Sequence, residues 1–219
     1  SMIFNGRAFA KERLRVLQEE RKQFGPLSLG IVVGSHDPVT SSYVKIKEKN
    51  AQALDISLVR YVVDDTMSID EVLNVIADAH NEDGVIVQLP LPPSISVEKA
   101  LGALQALKDV DVISPDATKF FKEGKHIVMP PVASAINEII DAENIQVVGR
   151  RAVIVGQGRL VGAPAYHLMK ARGAEVVALE AGDDLAQLKD ADIIVLGAGS
   201  PFLVAPEMVK EGVVVFDAG

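Results

Sequence analysis

Apolar positions in this chain follow two periods in turn. Over residues 6–24 they recur every three or four places, with Ala10, Leu14, Leu17 and Phe24 on one stripe, which predicts an amphipathic helix ended by Gly25-Pro26. Residues 27–33 are a short apolar run between turn residues, the pattern of a buried strand. Gly34-Ser35-His36-Asp37-Pro38 reads as a loop. Helices are predicted over 41–54, 69–81 and 97–107, and strands over 56–63 and 84–89, the last running into Pro90-Leu91-Pro92-Pro93. Residues 108–131 are looser until Pro130-Pro131 opens a helix with Val132, Ile136, Ile139 and Ile140 on one face. Strands over 152–155, 175–179, 192–196 and 213–216 then alternate with helices over 161–172, 185–189 and 205–211. Such alternation predicts parallel sheets. The halves share no repeat, so the expectation is two α/β lobes, residues 1–130 and 131–219, the second Rossmann-like with a parallel sheet.

The second lobe opens on Val153-Ile154-Val155-Gly156-Gln157-Gly158-Arg159-Leu160-Val161-Gly162, a strand, a glycine turn and a helix start. Glycines there let a backbone approach a pyrophosphate, which the helix N-terminus then attracts. The GxGxxxG spacing is weak alone, but its position at a strand end strengthens it. Glu180 ends the next strand, near the offset of about 20 residues expected of a ribose-binding carboxylate. A second turn, Gly197-Ala198-Gly199-Ser200-Pro201, follows the third strand and would face the nicotinamide side.

In the first lobe, Tyr43 and Lys47 lie one helical turn apart and share a face. A lysine among apolar or amide groups can serve acid–base chemistry near neutral pH. Gln88 ends an apolar strand, and strand carboxyl ends face the ligand crevice of an open parallel sheet. Asp111 lies in Lys108-Asp109-Val110-Asp111, at an expected interlobe position. Each has an ordinary reading too: a solvated lysine, a strand-end cap, a loop turn.

Composition narrows the chemistry. With 30 acidic and 22 basic residues the net charge is −8, which argues against nucleic-acid or anionic-membrane partners. There is no cysteine, so disulfides and thiol chemistry are excluded. The histidines, His36, His80, His126 and His167, are scattered, and no metal is assigned. No signal peptide is visible, and a cytoplasmic protein is expected.

Taken together these segments resemble one family. Ser42-Tyr43-Val44 with Lys47 and Lys49, Asp83-Gly84-Val85-Ile86-Val87-Gln88-Leu89-Pro90-Leu91-Pro92, and Lys108 to Asp111 are similar to motifs of the bifunctional methylenetetrahydrofolate dehydrogenase/methenyltetrahydrofolate cyclohydrolases. So are the Gly156–Pro164 loop, Ala191-Asp192 through Pro201, and Met208 through Gly219. The resemblance implies a folate-binding first lobe, a nucleotide-binding second lobe and a homodimer. It makes Lys47 the acid–base residue of hydrolysis, with Tyr43 positioning the folate rings, Gln88 holding Lys47 and Asp111 bonding the pterin. NAD or NADP would be held by Gly156, Gln157, Gly158, Arg159, Leu160, Val161, Gly162, Glu180, Gly197 and Gly199. NAD is favoured, because Gln157 stands where NADP-binding members carry an arginine. The chain departs from the family pattern at Val112-Ile113-Ser114, at Pro130 to Ala135 and at Glu180-Ala181. It also stops after a strand where the family continues, so a short form with weakened folate binding is expected. The alternative is an altered or non-catalytic dinucleotide-binding relative.

Overall fold

Alternation at single-residue resolution builds the first sheet. In β1 (Leu27–Val33) Val32 points into one apolar cluster, with Val63, Val72, Ile76, Leu101 and Leu104, while Ile31 and Val33 point into another, with Val44. β3 (Gly84–Gln88) repeats this: Val85 and Val87 face the first cluster and Ile86 the second. A strand buried on both faces must be sandwiched by helices. Accordingly α3 (Ile69–Ala79) and α4 (Val97–Ala103) cover one face, and α2 (Pro38–Ala53) the other. With β2 (Ile56–Val62) the order is β2-β1-β3, all parallel. The computed structural model describes residues 2–34, 38–199 and 203–218, with the backbone alone at 38 and 39. The expected loop residues Ser35, His36 and Asp37, and Ser200 and Pro201 of the second glycine turn, lie outside the described residues.

A second parallel sheet has the order β5-β4-β6-β7, formed by β4 (Arg151–Val155), β5 (Glu175–Leu179), β6 (Ile193–Leu196) and β7 (Val214–Asp217). Val153, Val155, Leu179 and Ile194 face a core completed by Leu188. α6 (Pro131–Ala142) and α7 (Gly162–Ala171) complete the unit's helices, and the side chains of Ala165, Leu168 and Met169 on α7 are fully buried. The chain divides into compact units at Ser1–Lys119 and Phe120–Gly219, a break inside α5 (Pro115–Lys122) and ahead of the boundary expected at residue 130.

Several elements differ from the sequence pattern. α4 ends at Ala103, short of the expected 107, and α5 forms within the stretch 108–131 that the pattern left loose. α1 (Gly6–Arg21) forms, capped by Asn5, but none of its residues is buried, and Leu17 and Phe24 stay exposed. It is tied down by polar bonds instead, from Gln18 Nε2 to Ala53 O at 3.0 Å and from Arg21 Nη2 to Asp55 O at 2.8 Å. The helix expected over 205–211 is one 3₁₀ turn, Pro206–Met208, because Val209 is already extended and Gly212 takes a positive φ. Residues Leu185–Asp190 are likewise 3₁₀ rather than α.

His80 closes α3, and its Nε2 accepts the Gln105 N–H at 3.2 Å. Burial, and then the nearby Lys108 charge, hold its pKa below the usual histidine value. The unfolded ring therefore takes a proton more readily than the folded one. Its contribution to stability is complete above a pH of about 6.5 and is lost as pH falls through the lower folded value. His167, lowered by burial and by Lys122 and Lys170, acts in the same direction. Urea midpoints are expected to fall between pH 7.5 and 5.5, and His80→Gln should flatten that slope; an unchanged slope would remove His80 from this account.

Candidate active site

Side chains with chemical potential in the first unit gather where its parallel strands end. Register aligns Val33 with Gln88 across β1 and β3. A bridge between Val85 and Asp109 lays residues 108–110 beside β3 in the same direction. Val85 N–H donates to Lys108 O at 2.7 Å, and Val110 N–H to Val85 O at 3.3 Å. Asp111 thus leaves this bridged segment near the edge where Gln88 leaves β3. α2 follows β1, and from it Lys47 Nζ donates to Asp111 Oδ2 at 3.0 Å. Their side chains are 28% and 18% exposed, so water screens the pair only in part. Tyr43, one turn earlier on α2, is 58% exposed and presents its ring to solvent.

Gln88 behaves otherwise than expected. Its Nε2 donates to Leu89 O at 3.0 Å, while its Oε1 is buried with no hydrogen-bond partner. The bond from Gln88 to Lys47 is not formed, because the lysine has turned to Asp111 and the amide nitrogen to its own chain. An unpaired buried acceptor costs about 1–3 kcal/mol, so this oxygen is primed for a donor.

In the second unit, glycine at three positions follows from crowding. Gly156 sits at φ 84, and a Cβ there would lie 2.9 Å from Ala198 N. A Cβ on Gly162 would fall 1.7 Å from Gly156 O, so the first turn of α7 lies directly on the loop. On Gly197 it would meet Val161 Cγ1 at 2.8 Å. Gly158 and Gly199 differ, since a Cβ at either would meet nothing within 4 Å. Open space above a glycine, beside crowded neighbours and ahead of a helix N-terminus, fits a pyrophosphate. Gln157 Nε2 donates back to Ile154 O and Gly156 O at 3.3 Å, which ties the loop to its strand. Arg159 and Leu160 lie exposed in the turn, and Val161 is the N-cap of α7. The helix expected over 161–172 therefore begins at Gly162, since the backbone of Val161 is not yet helical.

Gly156 N–H donates to Leu179 O at 2.8 Å, which sets Glu180 beside the glycine loop. Two further carboxylates take part that the sequence reading did not single out. Asp183 Oδ2 accepts the Glu180 N–H at 2.8 Å, and Asp109, noted only as part of the Lys108–Asp111 segment, is buried under the loop that carries Asp111.

Two parallel α/β units, one with a Lys–Asp pair at its strand ends and one with a glycine loop fitted to a dinucleotide, define a nucleotide-dependent enzyme architecture. The family model of the tetrahydrofolate dehydrogenase/cyclohydrolase catalytic domain matches residues 4–111, and that of its NAD(P)-binding domain matches residues 130–219. The chain belongs to this family. The bifunctional protein FolD of Halothermothrix orenii is 36% identical over 231 residues, spanning 99% of this chain and 81% of that one. The bifunctional FolD enzyme from Campylobacter jejuni superposes with a TM-score of 0.92 at 28% identity, covering 98% of this chain and 79% of that one. The Trypanosoma brucei enzyme, solved with NADP cofactor and an inhibitor, gives 0.91 at 26% identity, with coverages of 98% and 77%.

The glycines separate into structural and ligand-facing positions, and substitution reads the difference. Gly162→Ala should cost roughly 3 kcal/mol or more in denaturant unfolding, because backbone must move. Gly158→Ala should leave stability within about 0.5 kcal/mol yet raise the nucleotide Kd on the order of 10-fold. Equal destabilisation by both would refute the assignment.

Proposed function

We propose that this chain oxidises 5,10-methylenetetrahydrofolate to the 5,10-methenyl compound with NAD(P) and hydrolyses that product to 10-formyltetrahydrofolate. The observation that carries the reading is the Lys47–Asp111 pair, 3.0 Å apart at the carboxyl edge of the sheet, within the part that matches the catalytic domain. When bound, the nicotinamide supplies the acceptor for a hydride from the one-carbon bridge. That transfer needs no acid or base at carbon, so the protein's task is placement. The glycine loop would hold the pyrophosphate and Glu180 the ribose.

Hydrolysis asks more of the side chains. Water adds to the cationic carbon and loses a proton, and the N–C bond opens as the ring nitrogen gains one. A single amine that takes and returns a proton can serve both events. Lys47 is that amine once the substrate has drawn Asp111 from it and its proton has been lost, and Asp111 sets where its nitrogen sits beforehand. The Asp111 carboxylate also suits the paired N–H donors of a pterin, since charge-assisted bonds are the stronger kind. The unpaired Gln88 Oε1 gives a second acceptor near the same strand edge. Action in the cytoplasm and assembly as a homodimer belong to the same reading, and β5 is an edge strand of the second sheet through which such pairing could run.

Within this reading the nucleotide is NAD in preference to NADP. A 2′-phosphate at the end of β5 would meet the Glu180 carboxylate, and Asp183, turned onto the Glu180 N–H, adds a second negative charge there. Like charges about 4 Å apart cost on the order of 1–4 kcal/mol at effective dielectrics of 80 to 20.

Two measurements check these assignments. Lys47→Met should lower the cyclohydrolase rate on the order of 100-fold or more and hydride transfer much less; an undiminished cyclohydrolase rate would sink the role. Titration of both nucleotides should give the lower Kd for NAD, and Glu180→Ser should improve NADP binding. Tighter NADP binding by the unmodified protein would reverse the preference.

A further inference from the structure

Residues 108–114 reach the candidate active site by an unusual route. Asp109 is 2% exposed, the one charged side chain buried among the described residues. Its backbone is pinned to β3 through the bridge with Val85. Its Oδ1 accepts the Asp111 N–H at 3.2 Å, and its Oδ2 accepts the Ile113 and Ser114 N–H groups at 2.8 and 2.7 Å. Between these anchors Val112 has φ 56. The left-handed region is unfavourable for an L-residue, and a β-branched one is a true outlier there. Such a conformation persists only where its surroundings over-determine it. Three charge-assisted bonds from one buried carboxylate do so here. The side chains of Val112 and Ile113, both 5% exposed, fill the space beneath.

The turn that Asp109 holds is the turn from which Asp111 projects. With Val112 forced left-handed, Asp111 lies between a strand-like Asp109 and a reversal of the chain. From that backbone direction its carboxylate meets Lys47 at 3.0 Å. We propose that Asp109 is a positioning residue for the folate chemistry: its buried carboxylate sets the backbone of 111–114 and thereby aims Asp111 at Lys47 and the substrate. The inference rests on the reading of Asp111 and Lys47 given above. Asp109 touches neither substrate nor nucleotide.

Asp109→Asn isolates the relevant bond. Its one oxygen can still accept from Ile113 and Ser114, but its amide then faces the Asp111 N–H, donor against donor. The KM for 5,10-methylenetetrahydrofolate should rise on the order of 10- to 100-fold, with a smaller fall in kcat and a nucleotide Kd within about twofold of the unmodified protein. Adding Val112→Gly, which adopts a positive φ freely, should recover most of that KM. A folate KM unchanged in Asp109→Asn, no recovery in the double variant, or a nucleotide Kd that rises in step would each overturn the proposal. If Asp109→Asn does not fold, Asp109→Glu keeps the charge while shifting the acceptors by one methylene, and the same split between folate KM and nucleotide Kd is required of it. If the unmodified protein turns over no methylenetetrahydrofolate, the function reading fails separately. Asp109 is then judged by a crystal structure of Asp109→Asn: loss of the Lys47–Asp111 contact supports it, and an unmoved contact refutes it.

Discussion

Parallel strand pairing is the constraint on which both units depend. Strands that all run one way put every carboxyl end on the same edge, so residues far apart in sequence become neighbours without any local signal. In the first unit that edge collects Gln88 from β3 and Asp111 from the segment beside it. In the second it collects Gly156, Glu180 and Gly197 from three successive strands. Register makes this work. A slip of one residue in β3 would exchange Val85 and Val87 for Ile86 and send Gln88 to the opposite face. The slip is resisted because both faces are buried, and each has its own apolar cluster to fill.

Much of this was legible in the sequence, because burial on two faces and glycine crowding leave marks in residue type. Runs such as 27–33 and 84–89 could hardly be anything but interior strands. Gly156 and Gly162 followed from their place between a strand and a helix, and the structure adds the reason, a helix turn resting on the loop carbonyl. Where the marks failed, the cause was tertiary. The α1 stripe predicted burial, yet Gln18 and Arg21 hold that helix through polar bonds to carbonyls at and just beyond the end of α2. Asp109 and Asp183 carry no pattern that separates a carboxylate bonded to backbone N–H groups from a solvated one. Gln88 was located correctly at a strand end, but its hydrogen-bond partner depends on competition among side chains that spacing cannot resolve.

The two candidate sites manage charge differently. In the first unit a cation and an anion are paired and partly withdrawn from water, so each charge is held by the other. In the second, backbone N–H groups and space carry the recognition, and the charged side chains stand at its margin. A rigid cradle suits a cofactor that must return repeatedly to one pose. A separable ion pair suits a substrate that has to displace one partner to engage the other.

The Lys47–Asp111 contact joins residues 64 positions apart. At a synthesis rate of about 5–20 residues per second, Lys47 precedes its partner by roughly 3 to 13 seconds during translation. Through that interval α2 can already be helical, while the segment that delivers Asp111 is still unmade. The catalytic edge is therefore completed only about midway through synthesis, and a ribosome stalled between α2 and residue 111 would carry a helix-bearing intermediate with its lysine unmatched.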